Sequence, residues 1–243
     1  MGAVSYLNTR PLVYGFEQGL LKDEVELIFD YPARVAAMLM EGKIDVGLIP
    51  VAVLPHLKTH YLISDYCIGA SKPVGSVCLF SDVPITAIKE ILVDYQSRTS
   101  AALLKVLLKE YWNIAPVLTD TSNGYQQNIK GTTAGLIIGD RALVHRSHSP
   151  YIYDLAEAWQ QHTGLPFVFA AWIANKKLPD SFTQSFNKAT GLGLQHIPKI
   201  VDALSFKDYD MRHYYQENID YTLDEKKLAA VQLFLKKIRG LSV

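Results

Sequence analysis

The chain has 243 residues, enough for one large or two modest domains with full cores. Apolar residues make up 49% and charged residues 20%, ordinary for a soluble globular protein. Lys+Arg and Asp+Glu both total 24, and the resulting zero net charge argues against a general nucleic-acid binder, which needs a basic face to displace counterions, while leaving room for a local basic pocket for a small acid.

Residues 3–6 read as a short strand running into a turn and then a helix over about 12–21. Pro11 suits the first helical turn, where the N–H it lacks would be unpaired anyway. Residues 7–10 then sit where free N–H groups and the helix dipole favour an anion, and Asn8 and Thr9 add short polar side chains there. The same stretch also suits a plain strand–helix turn capped by Asn8 or Thr9, and taken alone it favours that plainer role. Residues 25–29 alternate as a strand, Pro32 precedes a helix over 33–40, Gly42 suits its C-terminal cap, and 44–50 is a buried strand. This β-α-β-α-β order predicts an α/β layered fold with a parallel sheet. Ligands in such sheets bind beyond the carboxyl ends of strands, where Asn8 and Pro50 both fall.

Residues 51–54 begin a helical turn, and 61–70 hold apolar segments broken at Ser64-Asp65. The β-rich run 75–81 leads into a second unit: strand 91–93, polar exit 94–97, and a helix over 101–111 capped by Thr99 or Ser100. A short strand at Val117-Leu118, a loop over 120–124 and a buried strand over 134–138 follow, the last exiting into Gly139-Asp140 and a short helix. Ser97-Arg98-Thr99-Ser100 thus repeats the design of the opening turn. Residues 155–163 are helical, and 167–174 form the longest β-prone run. From Asp180 onward helices are predicted over 181–194, 197–204, 208–217 and 224–238, with Thr222 and Glu225 as a capping box for the last. The helical tail packs most simply onto the first unit. Lobe one is therefore expected over 1–76 and 172–243, lobe two over 77–171, with hinge crossings near 76–80 and 167–173 and the two polar turns facing each other across a cleft.

Cys67 and Cys78 come without a CxxC or Cys/His cluster and read as small buried apolar residues. Met1-Gly2-Ala3 leads directly into the first motif without a secretory signal, and no apolar run is long enough to span a bilayer. The cytoplasm is the expected compartment. The abrupt start also leaves room for residues missing ahead of Met1.

Taken together, several motifs resemble the chorismate dehydratase family of the futalosine route to menaquinone. They are Val4-Ser5-Tyr6-Leu7-Asn8-Thr9 with Pro11-Leu12, Gly42 with Asp45-Val46-Gly47-Leu48-Ile49-Pro50, and Ser76-Val77 with Leu79-Phe80-Ser81. Asp94 with Ser97-Arg98-Thr99-Ser100, Ile138-Gly139-Asp140, and Thr163-Gly164-Leu165-Pro166-Phe167-Val168-Phe169-Ala170 with Trp172 complete the set, whereas the C-terminal helices add little that is diagnostic. The resemblance implies a two-lobed type II periplasmic-binding-protein-like fold used as an enzyme, a hydro-lyase without metal or cofactor. Its substrate would be the small dicarboxylate chorismate and its product 3-[(1-carboxyvinyl)oxy]benzoate, with no nucleic-acid or membrane partner.

By that resemblance Asn8 and Ser76 lie near the reacting atoms. Tyr6, Leu7, Thr9, Pro50, Ser97, Arg98, Thr99, Ser100, Gly139 and Asp140 are the candidate substrate-binding residues. Asn is no general base at neutral pH, but its amide can donate to a leaving hydroxyl or hold a carboxylate. Ser76 has no His partner apparent in the sequence, which argues against a Ser-His-Asp nucleophile. The family then implies substrate assistance, in which the enolpyruvyl carboxylate takes the C3 proton. Plainer roles stand beside these. Asp140 equally suits a helix cap, Asp45 a local backbone contact, Arg98 solvent or Asp94 in place of a carboxylate fork, and Arg10 the surface. His145 and His148 are spaced as on a helix, but Ser147 and Pro150 make a loop and disfavour a metal. Phe167, Phe169 and Trp172 are expected in the core rather than stacked on ligand. The rival function is a non-catalytic small-acid binding protein of the same fold. A transport partner would need a signal or anchor, and a regulator a DNA-binding segment; neither is evident in the sequence.

Overall fold

Pro11 and Pro32 each stand in the first turn of a helix, and these two helices set the β-α rhythm of the first fifty residues. The computed structural model describes residues 1–239 and 241. In chain order its first half holds β1 (Gly2–Val4), α1 (Arg10–Glu17), β2 (Ile28–Asp30), α2 (Pro32–Met40), β3 (Val46–Pro50), β4 (Tyr61–Ala70), β5 (Val77–Ser81), β6 (Glu90–Val93), α3 (Arg98–Glu110) and β7 (Val117–Asp120). Its second half holds β8 (Thr133–Ile138), α4 (Asp140–His145), β9 (Tyr151–Asp154), α5 (Leu155–Thr163), β10 (Phe167–Ala174), α6 (Asp180–Leu192), α7 (Ile197–Asp202), α8 (Met211–His213), β11 (Asp220–Thr222) and α9 (Glu225–Ile238).

Two sheets result. One has the order β11-β4-β10-β3-β1-β2, the other β7-β6-β8-β5-β9. In the first, β1 runs parallel to β2 and β3, while β10 is antiparallel to β3 and β4. In the second, β6 runs parallel to β7 and β8, while β5 is antiparallel to β8 and β9. This is the expected two-lobed α/β plan, with one sheet built from both ends of the chain.

Four expectations change. The boundary between residues 171 and 172 falls inside β10, which pairs with β3 and β4 from Phe167 through Ala174. The chain has therefore returned to the first sheet before Phe167. The polar pair Ser64-Asp65 does not break β4, because the Asn187 side chain accepts from the Ser64 hydroxyl at 2.8 Å and from the Asp65 N–H at 3.0 Å. The tail is mostly helical as expected, but the helix expected over 208–217 is a short α8 followed by a wide π turn over 214–218, and β11 adds an edge strand beside β4. Thr222 lies in that strand, and the cap of α9 is Asp224, whose carboxylate accepts from the Lys227 N–H at 2.8 Å.

The second sheet alternates strictly. Val77, Leu79, Ile91, Val93, Leu136 and Ile138 face the main core, while Cys78, Phe80, Leu92 and Ile137 form a small cluster on the opposite face with Tyr125 and Ala142. Both cysteines are buried and free. In the first lobe α1 lies directly against α6, since a Cβ at Gly15 would stand 2.2 Å from the Ala189 carbonyl oxygen. That approach fixes the helix that begins at the opening turn. Among the described residues no helix is long and apolar enough to cross a membrane.

Candidate active site

A narrow cavity lies between the two sheets. Its polar lining is Tyr6, Asn8, Ser76, Ser97 and Ser100. Apolar walls come from Pro32, Pro50, Ile68, Val74, Ile138 and Phe169, among others, and Gly139 completes one side. None of the lining residues is a carboxylate, a histidine, a lysine or an arginine. Tyr6 is the one lining residue with an ionisable group, and burial pushes its phenol above the usual range, helped by the nearby Asp94 charge.

The strand ends deliver these groups. β1 stops at Val4, and residues 7–9 form a 3₁₀ turn before α1. Thr9 is the N-cap of α1 but makes no side-chain capping bond; its hydroxyl turns to the Asn8 side chain at 3.4 Å. The plainer role of a capped turn is therefore not what the structure has. Across the cleft, Ser97 caps α3 by accepting from the Ser100 N–H at 3.2 Å, and the two hydroxyls lie 3.0 Å apart. The Arg98 and Thr99 N–H groups have no intrahelical acceptor, so this end of a 13-residue helix favours an anion beside the cavity. Gly139 has φ +64°, and a Cβ there would meet the Tyr6 ring at 3.0 Å. Only glycine lets that ring lie so close to the backbone.

Polar ties join the two sides. The Leu7 N–H donates to both oxygens of Asp140, at 3.0 and 3.3 Å. The Tyr6 hydroxyl donates to the Gln96 side-chain oxygen, which also receives Arg141 at 2.8 Å. Arg141 donates to Asp94 at 2.7 Å, and Asp94 takes a further bond from Tyr125 at 2.8 Å. The Ala33 N–H reaches the Gln96 carbonyl at 3.2 Å, and the Ala52 N–H reaches the Thr99 hydroxyl at 3.1 Å. Burial raises the Asp140 carboxyl to about 6, against the opposing pull of the Leu7 N–H, Arg10 and Arg141. From behind, three tyrosines of the C-terminal tail hold the site. Tyr215 donates to the Leu7 carbonyl at 2.9 Å, Tyr221 to the Asn8 carbonyl at 2.8 Å, and Tyr214 to the Ser76 hydroxyl at 2.7 Å.

The sequence profile of the family described as menaquinone biosynthesis matches residues 1–239. The chain belongs to this family. The chorismate dehydratase of Thermus thermophilus is 26% identical over 262 aligned positions, covering 98% of this chain and 94% of that protein. A crystallised protein from Archaeoglobus fulgidus superposes with a TM-score of 0.72 at 14% identity, covering 98% and 96% of the two chains. A Candida albicans protein described as having the generic periplasmic binding protein fold superposes at 0.63 with 11% identity, covering 100% and 90%. The fold of this menaquinone-biosynthesis family member is accordingly periplasmic-binding-protein-like.

Of the residues singled out in the sequence of this family member, Tyr6, Asn8, Pro50, Ser76, Ser97, Ser100 and Gly139 meet at the one cavity. Leu7, Thr9, Thr99 and Asp140 stand one step back: Leu7 is bonded to Asp140, Thr9 to Asn8 within its own turn, and Thr99 to Ala52. Arg98 is not with them: it is exposed, in an outer groove with Tyr95, Lys105 and Asp120. The cap of α3 is Ser97 rather than Thr99 or Ser100. Phe167 and Trp172 are core residues, but Phe169 lines the cavity together with Ala170, where the pairing of β10 with β4 is irregular between Val168 and Ala170. Asp45 is exposed and pairs with Lys176 at 2.7 Å, away from the cavity. His145 ends α4 and His148 lies in the 3₁₀ turn that follows, so the segment is helical rather than a loop. Among the described residues no group of three His, Cys, Asp or Glu side chains is placed to hold a metal ion. The three tail tyrosines, Gln96 and Arg141 had no local signal in the sequence; of the Gln96–Arg141–Asp94 network only Asp94 stood among the motifs.

Proposed function

We propose that this protein is a chorismate dehydratase, a hydro-lyase that works without metal or cofactor. The supporting observation is the composition of the cavity wall, which offers amide and hydroxyl groups and a helix N-terminus but no ionised side chain. Such a wall suits a substrate that brings its own base. In chorismate the C3 hydrogen is vinylogous to the ring carboxylate, so its removal spreads negative charge into that group. Preorganised N–H and O–H donors stabilise charge that develops in this way. The enolpyruvyl carboxylate takes the C3 proton, the C–H electron pair becomes a ring π bond, and the C4–O bond breaks. The departing oxygen leaves with that bond's electrons and takes up the proton, so water and an aromatic ring form together. Asn8 and Ser76 serve the departing oxygen and the enolpyruvyl group, and the start of α3 serves a carboxylate.

Purified protein mixed with chorismate tests this reading. A new aromatic absorbance, with a product lighter than chorismate by one water, is the expected result. Tight chorismate binding without product would replace the enzyme by a small-acid binding protein.

A further inference from the structure

We propose that Tyr214 is a positioning residue that aims the Ser76 hydroxyl hydrogen into the cleft. The proposal rests on the dehydratase reading and deepens it. Tyr214 is fully buried, and its phenol has one hydrogen to place. It donates to the Ser76 Oγ, 2.7 Å away, and the Asn8 side chain also lies within hydrogen-bonding reach of the phenol oxygen. Burial holds the phenol well above its ordinary range, so at neutral pH it keeps that hydrogen and acts as donor.

Ser76 is equally buried, and its carbonyl is already taken by the Gly139 N–H at 2.8 Å. Once its Oγ accepts from Tyr214, its own O–H must point elsewhere, and the side chain lines the cavity beside Asn8. Without Tyr214 the hydroxyl could rotate and spend its hydrogen on the protein. A hydroxyl that accepts one bond also donates the next one more strongly.

The phenol is itself fixed. Asp210 caps its turn through the Arg212 and His213 N–H groups at 3.0 and 3.1 Å, and the Tyr214 N–H binds the Asp210 carbonyl at 2.9 Å. The Tyr209 ring packs edge-on at 6.0 Å. The C-terminal tail thus reaches 138 positions back to set one rotor in the site.

Y214F keeps the ring and removes the donor. Steady-state kinetics on chorismate should show kcat reduced about tenfold with KM within about twofold, the loss of one neutral hydrogen bond at the reacting centre. Adding Y214F to S76A should then slow the enzyme no further. Unchanged kcat in Y214F, or losses that multiply in the double variant, would overturn the proposal. A second measurement needs no turnover. The buried Tyr214 hydroxyl proton should give a slowly exchanging proton NMR resonance that is absent in Y214F and moves in S76A; a resonance unmoved in S76A overturns the pairing. A wild-type chain inactive on chorismate removes the dehydratase reading, and this resonance then decides the Tyr214–Ser76 pairing by itself.

Discussion

Asn8 shows how a short polar residue at a strand end becomes a fixed tool. Its carbonyl is held by Tyr221, its side chain receives the Thr9 hydroxyl, and it lines the cavity. If it serves the departing oxygen, N8A should lower kcat by roughly 100-fold or more, the scale of losing one preorganised donor, while chorismate affinity moves far less. Unchanged turnover in a stopped assay would remove Asn8 from the chemistry. Gly139 makes a different demand. Alanine there needs a left-handed backbone and collides with the Tyr6 ring, so G139A should lose about 1–3 kcal/mol and weaken chorismate binding, read by calorimetry and titration. Wild-type stability in G139A would show that the ring simply moves aside. Such residues were legible because small and polar side chains at strand or helix ends have few reasons to be there. The tyrosines behind them were not. Their partners lie 138, 208 and 213 positions away, and nothing local distinguishes a tyrosine that donates into a site from one that fills a core.

At the scale of elements, periodicity placed β10 and α5 at the residues they occupy, since long apolar runs and a glycine stop leave little choice. Starts and short edges were harder. Three hydroxyl residues open α3, and sequence cannot tell which of them faces the free N–H groups. Ser97 does, because Thr99 is turned toward Ala52 and Ser100 is the residue being capped. β11 has three residues and exists because β4 offers an open edge, which no local pattern announces. The cap yields a prediction with two parts. S97A should destabilise the protein by about 1 kcal/mol. For a chain of this size that lowers Tm by about 2–4 °C. Because Ser97 also lines the cavity, KM for chorismate should rise as the first turn loosens, with kcat less affected. A Tm shift with unchanged KM would leave α3 a structural helix and move the carboxylate elsewhere.

The whole molecule depends on what joins its two sheets, and the Asp140 carboxylate is the tie that responds to pH. Folding raises its pKa from 3.8 to about 6, chiefly by burial. The folded state therefore holds this proton more tightly than the unfolded chain does. Below about pH 4 both states are protonated; as pH rises toward 6 the unfolded chain releases the proton first, and stability falls across that window. D140N keeps an oxygen to accept the Leu7 N–H but carries no charge at any pH. Asp94 and Asp154 are also raised by burial and stay in both proteins, so the difference between the two Tm curves isolates Asp140. That difference should move in favour of D140N between about pH 4 and 6 and then level off. A constant offset across the window would mean that the carboxylate is equally comfortable charged in either state. The same charge stands beside a cavity proposed for a dianion. Chorismate should accordingly bind wild-type protein more tightly as pH falls through 6, above the range where its own carboxylates take up protons. D140N should lack that dependence. If the two proteins instead share one binding profile, Asp140 ties the lobes together without touching the electrostatics of the cavity.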